Sequence, residues 1–403
     1  MTEQNPVAPG TPPCDVIGLG AVNSVGDGVG DVFDALCAGR DGRARLRGFD
    51  RDRFRAQHAY EIDDRPADGF DAPGRATRWL VRAVEEAARD AGLGTDLAAV
   101  PVLVGTGLRE LRSAELGWRD KAAFDVADLH FGPALREHFG AVRTYTVSNA
   151  CSASLYALAM GCDLLAAGEA EHVVVAGVDT LTESMYGLLD RVHMEPPDRV
   201  RPFDQDRRGV LMGDGAAAIV LRRARDAGDS EDAGDSGRAQ APLVHGRVRS
   251  VYVNCDAYHV TAPDPGGVAA AVRGAHRQGG VTPADIDLVL LHGTGTLLND
   301  EAEAVAIGEV FGPHTAGPLM TAVKSMTGHT SGGSGLLGLI VALRALASGR
   351  VPPTVGLRKP IDEAADFRFV QDTETAAELR IAQVNAFGFG GVNAVAVVER
   401  AGR

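Results

Sequence analysis

The chain has 403 residues and a net charge of −14 at pH 7, from 54 acidic and 40 basic side chains. This acidic balance argues against nucleic acid as the main partner, because phosphate backbones are bound by clustered lysine and arginine. Apolar residues make up 45% of the chain, but their runs are short and broken by charge, so no membrane span is expected. The five cysteines are odd in number and lack metal-ligand spacing, which predicts a reduced, cytoplasmic protein without a metal site.

The first part of the chain alternates short apolar strands with helices. Residues 1–14 are polar and proline-rich, and we expect a disordered tail rather than a signal peptide. Strands are expected over 15–22, 101–107, 142–147, 171–179 and the end of 201–221, and helices over 29–38, 76–91 and 155–165. The strand over 142–147 is expected to be buried, and Trp118 and Phe124 are expected to anchor helical stretches within 109–138. Gly18 and Gly20 suggest a dinucleotide loop, but the motif is incomplete and lacks its acidic residue.

The second part repeats the alternation after an acidic segment. Residues 226–240 have no periodicity, so we expect a disordered insertion within the N-terminal half, 15–243, ahead of a C-terminal half, 244–403. Further strands are expected over 244–253, from 287, over 319–324 and twice within 380–399, with helices over 266–278, 301–311 and 335–347. The pattern predicts an α/β fold whose functional groups lie where apolar strands end in small-residue turns.

Cys151 is a candidate nucleophile. It lies between a strand and a helix, in Val147-Ser-Asn-Ala-Cys-Ser-Ala-Ser154. Free N–H groups and the positive end of the helix dipole favour a thiolate there, and small neighbours leave room for a substrate. The alternative is that Cys151 is a small buried apolar residue, which is the usual role of a free cysteine.

Three other turns carry polar groups that can act with a nucleophile. His292 ends an apolar strand before Gly-Thr-Gly-Thr, and His329 lies in the glycine-rich segment 324–335. The turn Phe387-Gly-Phe-Gly-Gly391 offers exposed backbone N–H groups. A lone histidine is more often structural than catalytic, but two in matching settings are less easily explained in this way. Together with Cys151 they supply a nucleophile and two donors that can face a developing negative charge.

These turns resemble the motifs of the β-ketoacyl-acyl carrier protein synthases, the condensing enzymes of the thiolase superfamily. The resemblance extends from about Val16 to Glu399. Its segments, in the family's order, are Asn-Ala-Cys151-Ser-Ala-Ser, Asp206-Arg-Arg-Gly-Val-Leu-Met-Gly-Asp-Gly-Ala, Asp256-Ala-Tyr-His-Val-Thr261, His292-Gly-Thr-Gly-Thr, Lys324-Ser-Met-Thr-Gly-His329 and Gly388-Phe-Gly-Gly391. It implies a thiolase-like duplicated fold with five layers in the order αβαβα.

The resemblance also implies an acyltransferase mechanism. Cys151 would take an acyl chain from a phosphopantetheine thioester, with the N–H groups of Cys151 and Phe389 as oxyanion hole. His292 and His329 would stabilise the enolate formed as malonyl thioester loses carbon dioxide, and this carbanion would attack the acyl-cysteine in a decarboxylative Claisen condensation. Lys324 would pair with Glu303 and order the histidine turns. The remaining implied site residues are Asp300 as a support, Thr261, Thr294 and Thr296 at the pantetheine arm, and Gly388, Phe389 and Gly390 as a gate.

The sequence departs from the commonest family pattern at two places near this site. Residues 330–335 read Thr-Ser-Gly-Gly-Ser-Gly where larger apolar residues and alanines are usual, and Val392 stands where threonine is usual. These departures favour polyketide or specialised fatty-acid biosynthesis over housekeeping elongation. A non-catalytic chain-length-factor subunit is a second interpretation, although such subunits usually lack the cysteine. A true thiolase is a third, although it would use one histidine and a second cysteine.

The resemblance implies an acyl carrier protein as partner, and a homodimer or a heterodimer with a homologous subunit. No resident cofactor is expected, since substrates arrive on the phosphopantetheine of the carrier. Acyl carrier proteins are acidic, so docking on an acidic chain must depend on local arginines and weaken as salt rises. The candidate arginines are Arg75, Arg78, Arg207 and Arg208.

Overall fold

The computed structural model describes residues 12–65, 71–224 and 242–402. Its strands are β1 (Cys14–Asn23), β2 (Gly26–Asp27), β3 (Ala44–Arg45), β4 (His58–Ala59), β5 (Val102–Gly105), β6 (Thr144–Val147), β7 (His172–Asp179), β8 (Gly215–Arg223), β9 (Gly246–Cys255), β10 (Leu288–Leu290), β11 (Leu319–Thr321), β12 (Arg350–Val351), β13 (Arg368–Phe369), β14 (Thr375–Ala376), β15 (Ile381–Gly388) and β16 (Val392–Arg400). Its helices are α1 (Val29–Cys37), α2 (Arg75–Asp90), α3 (Leu111–Asp120), α4 (Gly132–Phe139), α5 (Ala153–Ala166), α6 (Glu183–Val192), α7 (Pro265–Gly279), α8 (Leu297–Phe311), α9 (Lys324–Thr327) and α10 (Ser334–Ser348).

Two copies of one strand arrangement form the main sheet. Its order is β13-β11-β10-β15-β16-β9-β1-β8-β7-β5-β6, with β2 paired to β1. Read from the edge inward, the first half has the order β6-β5-β7-β8-β1 and the second half has the order β11-β10-β15-β16-β9. If the five strands of each half are numbered along the chain, both orders are 3-2-4-5-1. The parallel and antiparallel pairings also match. The halves join where β1 pairs antiparallel with β9. This repeat confirms the predicted duplicated α/β fold.

The helices complete five layers around these two half-sheets. Helices α5 and α10 lie between them, since each contacts strands of both halves. Helix α2 covers the outer face of the first half-sheet, whereas α7 covers the second and packs against α8. Both central helices are apolar nearly all round because both of their sides are buried. Among the described residues, 331–348 are long and apolar enough to cross a membrane, but 83% of this segment is buried inside the protein, as expected of a core helix.

Several local expectations were wrong. Strand β6 is partly exposed rather than buried, because it lies at the edge of the sheet with a strand on one side only. Trp118 does not anchor its helix: it is 76% exposed, since α3 buries the opposite side around Arg112 and Leu116. Phe124 is half-buried.

Some predicted boundaries also shift. Cys14, predicted to end the tail, is the buried first residue of β1. The strand predicted over 319–324 ends at Thr321, and Lys324 begins α9. Residues 1–11 of the predicted tail and the insertion at 226–240 lie outside the described residues.

The two halves bring matching turns into contact beneath the central helices. Ala150 precedes α5 with a φ of 47°, and Ser331 precedes α10 with a φ of 45°, a left-handed conformation that is uncommon for residues other than glycine. The buried carboxylate of Asp179 accepts hydrogen bonds from the amides of Gly107 and Gly332, each at 2.7 Å. Asp179 therefore ties the end of β5 to the turn that follows His329. Residues that break the expected motif at 330–335 thus serve close backbone packing.

We expect Gly332→Ala to destabilise the protein by about 1–3 kcal/mol through overpacking. A Cβ at Gly332 would lie 2.5 Å from the Cα of Thr106 and 2.6 Å from the amide nitrogen of Gly107, which are backbone atoms that cannot turn aside. Urea unfolding measures the change. Gly308→Ala is the matched control, since a Cβ there would meet nothing within 4 Å, and it should be neutral or slightly stabilising. Equal stability of the two variants would contradict the packing described.

Candidate active site

One cavity of about 350 Å³ brings together groups from distant parts of the chain. It is lined by eight of the residues singled out from the sequence: Cys151, Thr261, His292, Thr294, Thr296, His329, Gly388 and Phe389. Parallel strands β5, β7, β10 and β15 end at this side of the sheet, which is why their following turns meet. Lys324, Glu303 and Asp300 are buried nearby but do not line the cavity.

Cys151 is a half-buried free thiol at the turn before α5. Burial raises the pKa of this thiol to about 11, with Asp179 acting in the same direction. The cation of Lys324 and the backbone N–H groups of Phe389 and Cys151 oppose that rise. The groups expected to stabilise a thiolate are therefore present, but the effect of burial is larger than theirs. The resting group is a protonated thiol at neutral pH. The same two N–H groups are those predicted to form the oxyanion hole.

His292 is held rigidly by its backbone and ring. Glu303 accepts hydrogen bonds from the amides of His292 at 2.7 Å and Gly293 at 2.9 Å. Lys324 Nζ donates to the carbonyl oxygen of His292 at 2.5 Å and lies 3.4 Å from its Nδ1. Burial, Lys324 and His329 hold the pKa of His292 well below 6.5, so its ring is neutral. With Nδ1 facing an ammonium, the ring proton belongs on Nε2 as a donor.

The backbone of His329 is hydrogen-bonded, whereas its ring nitrogens have no hydrogen-bond partner among the described residues. Its amide donates to the carbonyl of Leu211 at 2.9 Å, and its carbonyl accepts from the amide of Gly213 at 3.0 Å. Its ring centroid lies 5.5 Å from that of His292, with the planes at 84°. Both ring nitrogens are buried and have no hydrogen-bond partner among the described residues. Burial and the charge of Lys324 lower the pKa of His329 well below 6.5, which leaves a neutral donor facing the cavity.

The predicted Lys324–Glu303 ion pair is wrong in detail. Within the described part of the chain, no ion pair within 4.0 Å joins these residues, because the carboxylate of Glu303 is occupied by backbone amides and by Asn385 Nδ2 at 2.9 Å. Both groups instead bind the backbone of the His292 turn: Glu303 accepts from its amides, and Lys324 donates to the carbonyl of His292. Burial lowers the pKa of Lys324 and raises that of Glu303. Lys324 is thus a positioning residue behind the cavity rather than one of its walls.

Replacing Lys324 with methionine should make Cys151 less reactive. The ammonium lowers the pKa of the thiol, so its loss raises that pKa further and reduces the thiolate at any pH below it. A thiol pKa higher by one leaves about tenfold less thiolate at neutral pH. Alkylation should slow by about threefold, because the more basic thiolate is also the better nucleophile. Iodoacetamide labelling of the Cys151 peptide, followed by mass spectrometry, measures this rate. Lys359→Met removes an exposed lysine and is the control; labelling of Cys151 at the wild-type rate in the Lys324 variant would contradict the electrostatic role.

The predicted pantetheine residues and two of the three predicted gate residues, Gly388 and Phe389, line the cavity, whereas Gly390 does not. Asp300 accepts from the amides of Thr294 at 3.1 Å and Gly295 at 3.2 Å, and burial raises its pKa to about 6. The hydroxyls of Thr294 and Thr296 lie 2.9 Å apart. Thr261 also lines the cavity, as expected. These contacts place three hydroxyl-bearing residues where a substrate arm would enter.

Phe389 stands at an exposed turn beside the sulfur. Its side chain is 46% exposed, between Gly388 and Gly390. Gly390 has a φ of 85°, which a larger residue would adopt only with strain, and its amide donates to the carbonyl of Val260 at 2.8 Å. The carbonyl of Val392 accepts from Ser152 Oγ at 2.9 Å, so the unusual valine leaves its backbone contact to the nucleophile turn in place.

The four candidate arginines lie in different environments. Arg75 is wrong as a docking residue, because it is buried and pairs with Asp64 at 3.0 Å and with Asp71 and Asp214 at 3.3 Å each. Arg78 is exposed and donates to the carbonyl of Pro73 at 2.8 Å. Arg207 is half-buried against the carbonyls of Thr296 and Leu297, and Arg208 is exposed and pairs with Glu195 at 3.1 Å.

Part of the site was not found from the sequence. Asp179, which ties two active-site turns together, ends an apolar strand before a turn, and that position was its only signal. No helix was predicted over 183–192, yet α6 supplies one wall of the cavity. Ser331 also lines the cavity, and only its departure from the family pattern marked it.

Comparisons with known proteins identify the family. Residues 139–227 match the family model described as the β-ketoacyl synthase N-terminal domain, and residues 245–358 match the β-ketoacyl synthase C-terminal domain. The 3-oxoacyl-[acyl-carrier-protein] synthase 2 of Synechocystis sp. is 30% identical over 94% of this chain and 95% of its own length. Nodulation protein E of Rhizobium meliloti is 32% identical over 62% of this chain and 60% of its own length.

The fold has close counterparts among solved structures. The ishigamide ketosynthase/chain length factor superposes with a TM-score of 0.84 at 30% sequence identity, covering 97% of this chain and 100% of that one. The two domain matches, the relative that aligns over its full length and the ishigamide structure all indicate the same family. The motifs that suggested a condensing enzyme are confirmed, and the chain belongs to the β-ketoacyl synthase family of acyltransferases.

Proposed function

We propose that this synthase condenses a malonyl-carrier extender with an acyl chain held on Cys151, in polyketide or specialised fatty-acid biosynthesis. The observation that carries the proposal is the convergence of the Cys151 thiol with the neutral rings of His292 and His329 on one cavity. A nucleophile and two uncharged donors are what acyl transfer followed by enolate formation requires. Purified protein given acyl-carrier and malonyl-carrier should release carbon dioxide and form a β-ketoacyl carrier.

The first step loads the acyl chain. The Cys151 sulfur attacks the thioester carbonyl of the incoming chain, and the oxyanion that forms accepts hydrogen bonds from the amides of Cys151 and Phe389. The attack forms the bond between the acyl carbon and Sγ; collapse then restores the carbonyl and breaks the bond to the pantetheine sulfur, which leaves as a thiol after taking up the proton lost from Cys151. Because burial raises the pKa of the resting thiol to about 11, the Lys324 cation and these amides are needed to stabilise the sulfur as it loses its proton.

The second step uses the two histidines. Neutral His292 and His329 donate N–H groups to the carbonyl oxygen of the malonyl thioester, where charge accumulates as carbon dioxide leaves. The α-carbon attacks the carbonyl of acyl-Cys151, the carbon–sulfur bond breaks, and the cysteine leaves as a thiolate that takes a proton from water to regenerate the thiol. Neutral rings suit this step, since they stabilise the developing enolate without binding the resting ester strongly. The unpartnered nitrogens of His329 support its role as one of these donors.

We infer that an acyl carrier protein delivers the substrates, bound to phosphopantetheine, and that Arg207 and Arg208 help to dock it. Arg207 donates a hydrogen bond to the carbonyl of Thr296, which lines the cavity. Acylation from a carrier should therefore slow as salt rises, whereas acylation from a free pantetheine thioester should change little. Both acylation rates are measured across a salt series by quenching the reactions at set times and determining the intact mass of the protein. A carrier rate that rises with salt would mean that repulsion by the acidic surface dominates instead.

We also infer a cytoplasmic protein that pairs with a second ketosynthase-like subunit. Edge strand β6 leaves Tyr145 41% exposed, and nearby Val142 is 58% exposed. Exposed apolar side chains on an open sheet edge favour strand pairing with another chain. Because β6 ends four residues before Cys151, such a partner would lie close to the cavity. Sedimentation of the purified chain distinguishes a homodimer from a monomer that awaits a different homologue.

The pathway assignment depends on the relatives and on the turn after His329. The likeness to the ishigamide ketosynthase and to nodulation protein E supports specialised biosynthesis, as do Ser331 and the glycines beside it. The likeness to 3-oxoacyl-[acyl-carrier-protein] synthase 2 supports housekeeping elongation as the alternative. A non-catalytic subunit is disfavoured by the retained Cys151, His292 and His329. Failure of the purified chain to decarboxylate malonyl-carrier, alone or with acyl-carrier, would favour that last alternative.

A further inference from the structure

The cavity at Cys151 is lined by both halves of the chain. The C-terminal half contributes polar groups from Thr261, Thr294, Thr296 and Asn299 together with apolar side chains such as Leu298 and Phe387. Helix α6 and the segment after it contribute apolar side chains from Met185, Leu189, Val192, Val210 and Met212. His193 is the polar exception on this wall of the cavity. It does not belong to the pair of histidines expected to handle the extender.

The position of His193 is fixed by contacts on both sides. Its amide donates to the carbonyl of Leu189 at 3.1 Å, which closes the end of α6, and its carbonyl accepts from Arg55 Nη2 at 2.8 Å. The ring lies against Gly209, where an added Cβ would be 2.5 Å from both Cδ2 and Nε2 of the imidazole. The backbone at Gly209 can approach the ring this closely only because it has no side chain. His193 is therefore held in one place beside the cavity.

The hydrogen-bonding capacity of His193 is not fully used. Its Nδ1 is buried and has no partner among the described residues. The carboxylate of Asp190, whose charge acts on His193, already accepts from the amides of Ala56 at 2.8 Å and Arg55 at 3.0 Å. Burial lowers the pKa of His193, so the ring is neutral and offers one donor and one acceptor. An unpaired buried nitrogen has lost its hydration without compensation, and a ligand in the cavity can restore the missing hydrogen bond.

We propose that His193 is a specificity-determining residue that hydrogen-bonds an oxygen atom on the acyl chain and so favours keto- or hydroxy-substituted chains over hydrocarbon chains. The inference rests on the proposed function, since it needs an acyl chain in this cavity. The apolar side chains of this wall contact the methylene groups of the acyl chain. The imidazole can form a hydrogen bond only with a carbonyl or hydroxyl group at the position along the chain that lies beside it. A hydrocarbon chain would leave Nδ1 desolvated and unpaired.

The test compares chain-matched substrates. Initial rates of Cys151 acylation are measured by intact mass with octanoyl-pantetheine and with a set carrying one oxo or hydroxyl group at successive carbons. For wild-type protein, at least one oxygenated chain should react about tenfold faster than the saturated chain. In His193→Leu this preference should disappear through a lower rate for the oxygenated chain, and His193→Asn should restore part of it. Met185→Leu, which changes the same wall without a polar group, should leave the preference intact.

The outcomes separate this inference from the proposed function. If wild-type protein acylates on Cys151 but prefers no oxygenated chain, or if His193→Leu slows all chains equally, His193 does not select the chain and the proposal is overturned. If no chain acylates Cys151 in wild-type protein, the proposed function fails, and the selectivity inferred from it fails as well. A circular dichroism spectrum and urea midpoint equal to wild type exclude misfolding of the variants.

Discussion

Cys151→Ala is expected to abolish covalent acylation of the protein and to reduce condensation on the order of 10⁴-fold or more. The variant keeps the backbone N–H groups and both histidines but has no sulfur to carry the chain. Acyl-carrier incubated with wild-type protein should add one acyl mass, and incubation with the variant should add none. The small alanine side chain fits the turn, so folding should not change.

A second cysteine variant makes the loss specific. Cys255 is the exposed cysteine of the chain and lies near the gate, with its sulfur 3.5 Å from the carbonyl of Gly390. Cys255→Ala should acylate at the wild-type rate. An acyl mass that persists in Cys151→Ala and disappears in Cys255→Ala would transfer the nucleophile role to the other thiol.

Alanine at His292 or His329 should have the opposite profile: acylation of Cys151 continues, while decarboxylation of malonyl-carrier falls by about 10²–10³-fold. That is the usual cost of losing one donor to a developing oxyanion. Release of labelled carbon dioxide measures the step. His138→Ala removes an exposed histidine of α4 and should change neither reaction. Loss of acylation together with decarboxylation would show that these rings act on the nucleophile rather than on the extender.

The lowered pKa values of these two histidines add a pH test to the same assay. Both rings remain neutral as pH falls through 6.5, the ordinary histidine value, because their own pKa values lie well below it. Decarboxylation should therefore persist at pH values where an exposed histidine is already charged. A rate that halves at the ordinary histidine pKa would contradict the burial that lowers these pKa values.

The central site was predictable because most of its parts follow strands. Cys151 and His292 lie in turns that follow strands β6 and β10, whereas the short helix α9 stands between β11 and His329. The duplicated sheet brings these segments to one place. The family motifs identified the chemistry, and the fold supplied the reason for their convergence. Motifs of this kind predict which side chains meet but not the hydrogen bonds that hold them.

What could not be predicted depends on position in the assembled fold. The apolar pattern of β6 is the same for an edge strand as for a central strand, so its exposure follows only from the sheet order. Arg75 begins a helix, where an arginine is usually exposed, but three carboxylates from separate segments surround it. Lys324 and Glu303 have opposite charges, yet backbone amides of the His292 turn occupy the carboxylate first. Each of these outcomes was decided by contacts between residues distant along the chain.

The most direct measurement follows the acyl chain through a single turnover. Protein acylated on Cys151 and freed of donor is mixed with malonyl-carrier, and the protein-bound acyl mass, the carbon dioxide and the carrier product are followed together. If the three groups share one cavity and act in sequence, acyl loss, carbon dioxide release and appearance of a β-ketoacyl carrier two carbons longer occur in equal amounts. Carbon dioxide released while the acyl mass stays on Cys151 would show that the histidines and the sulfur do not work on a common pair of substrates.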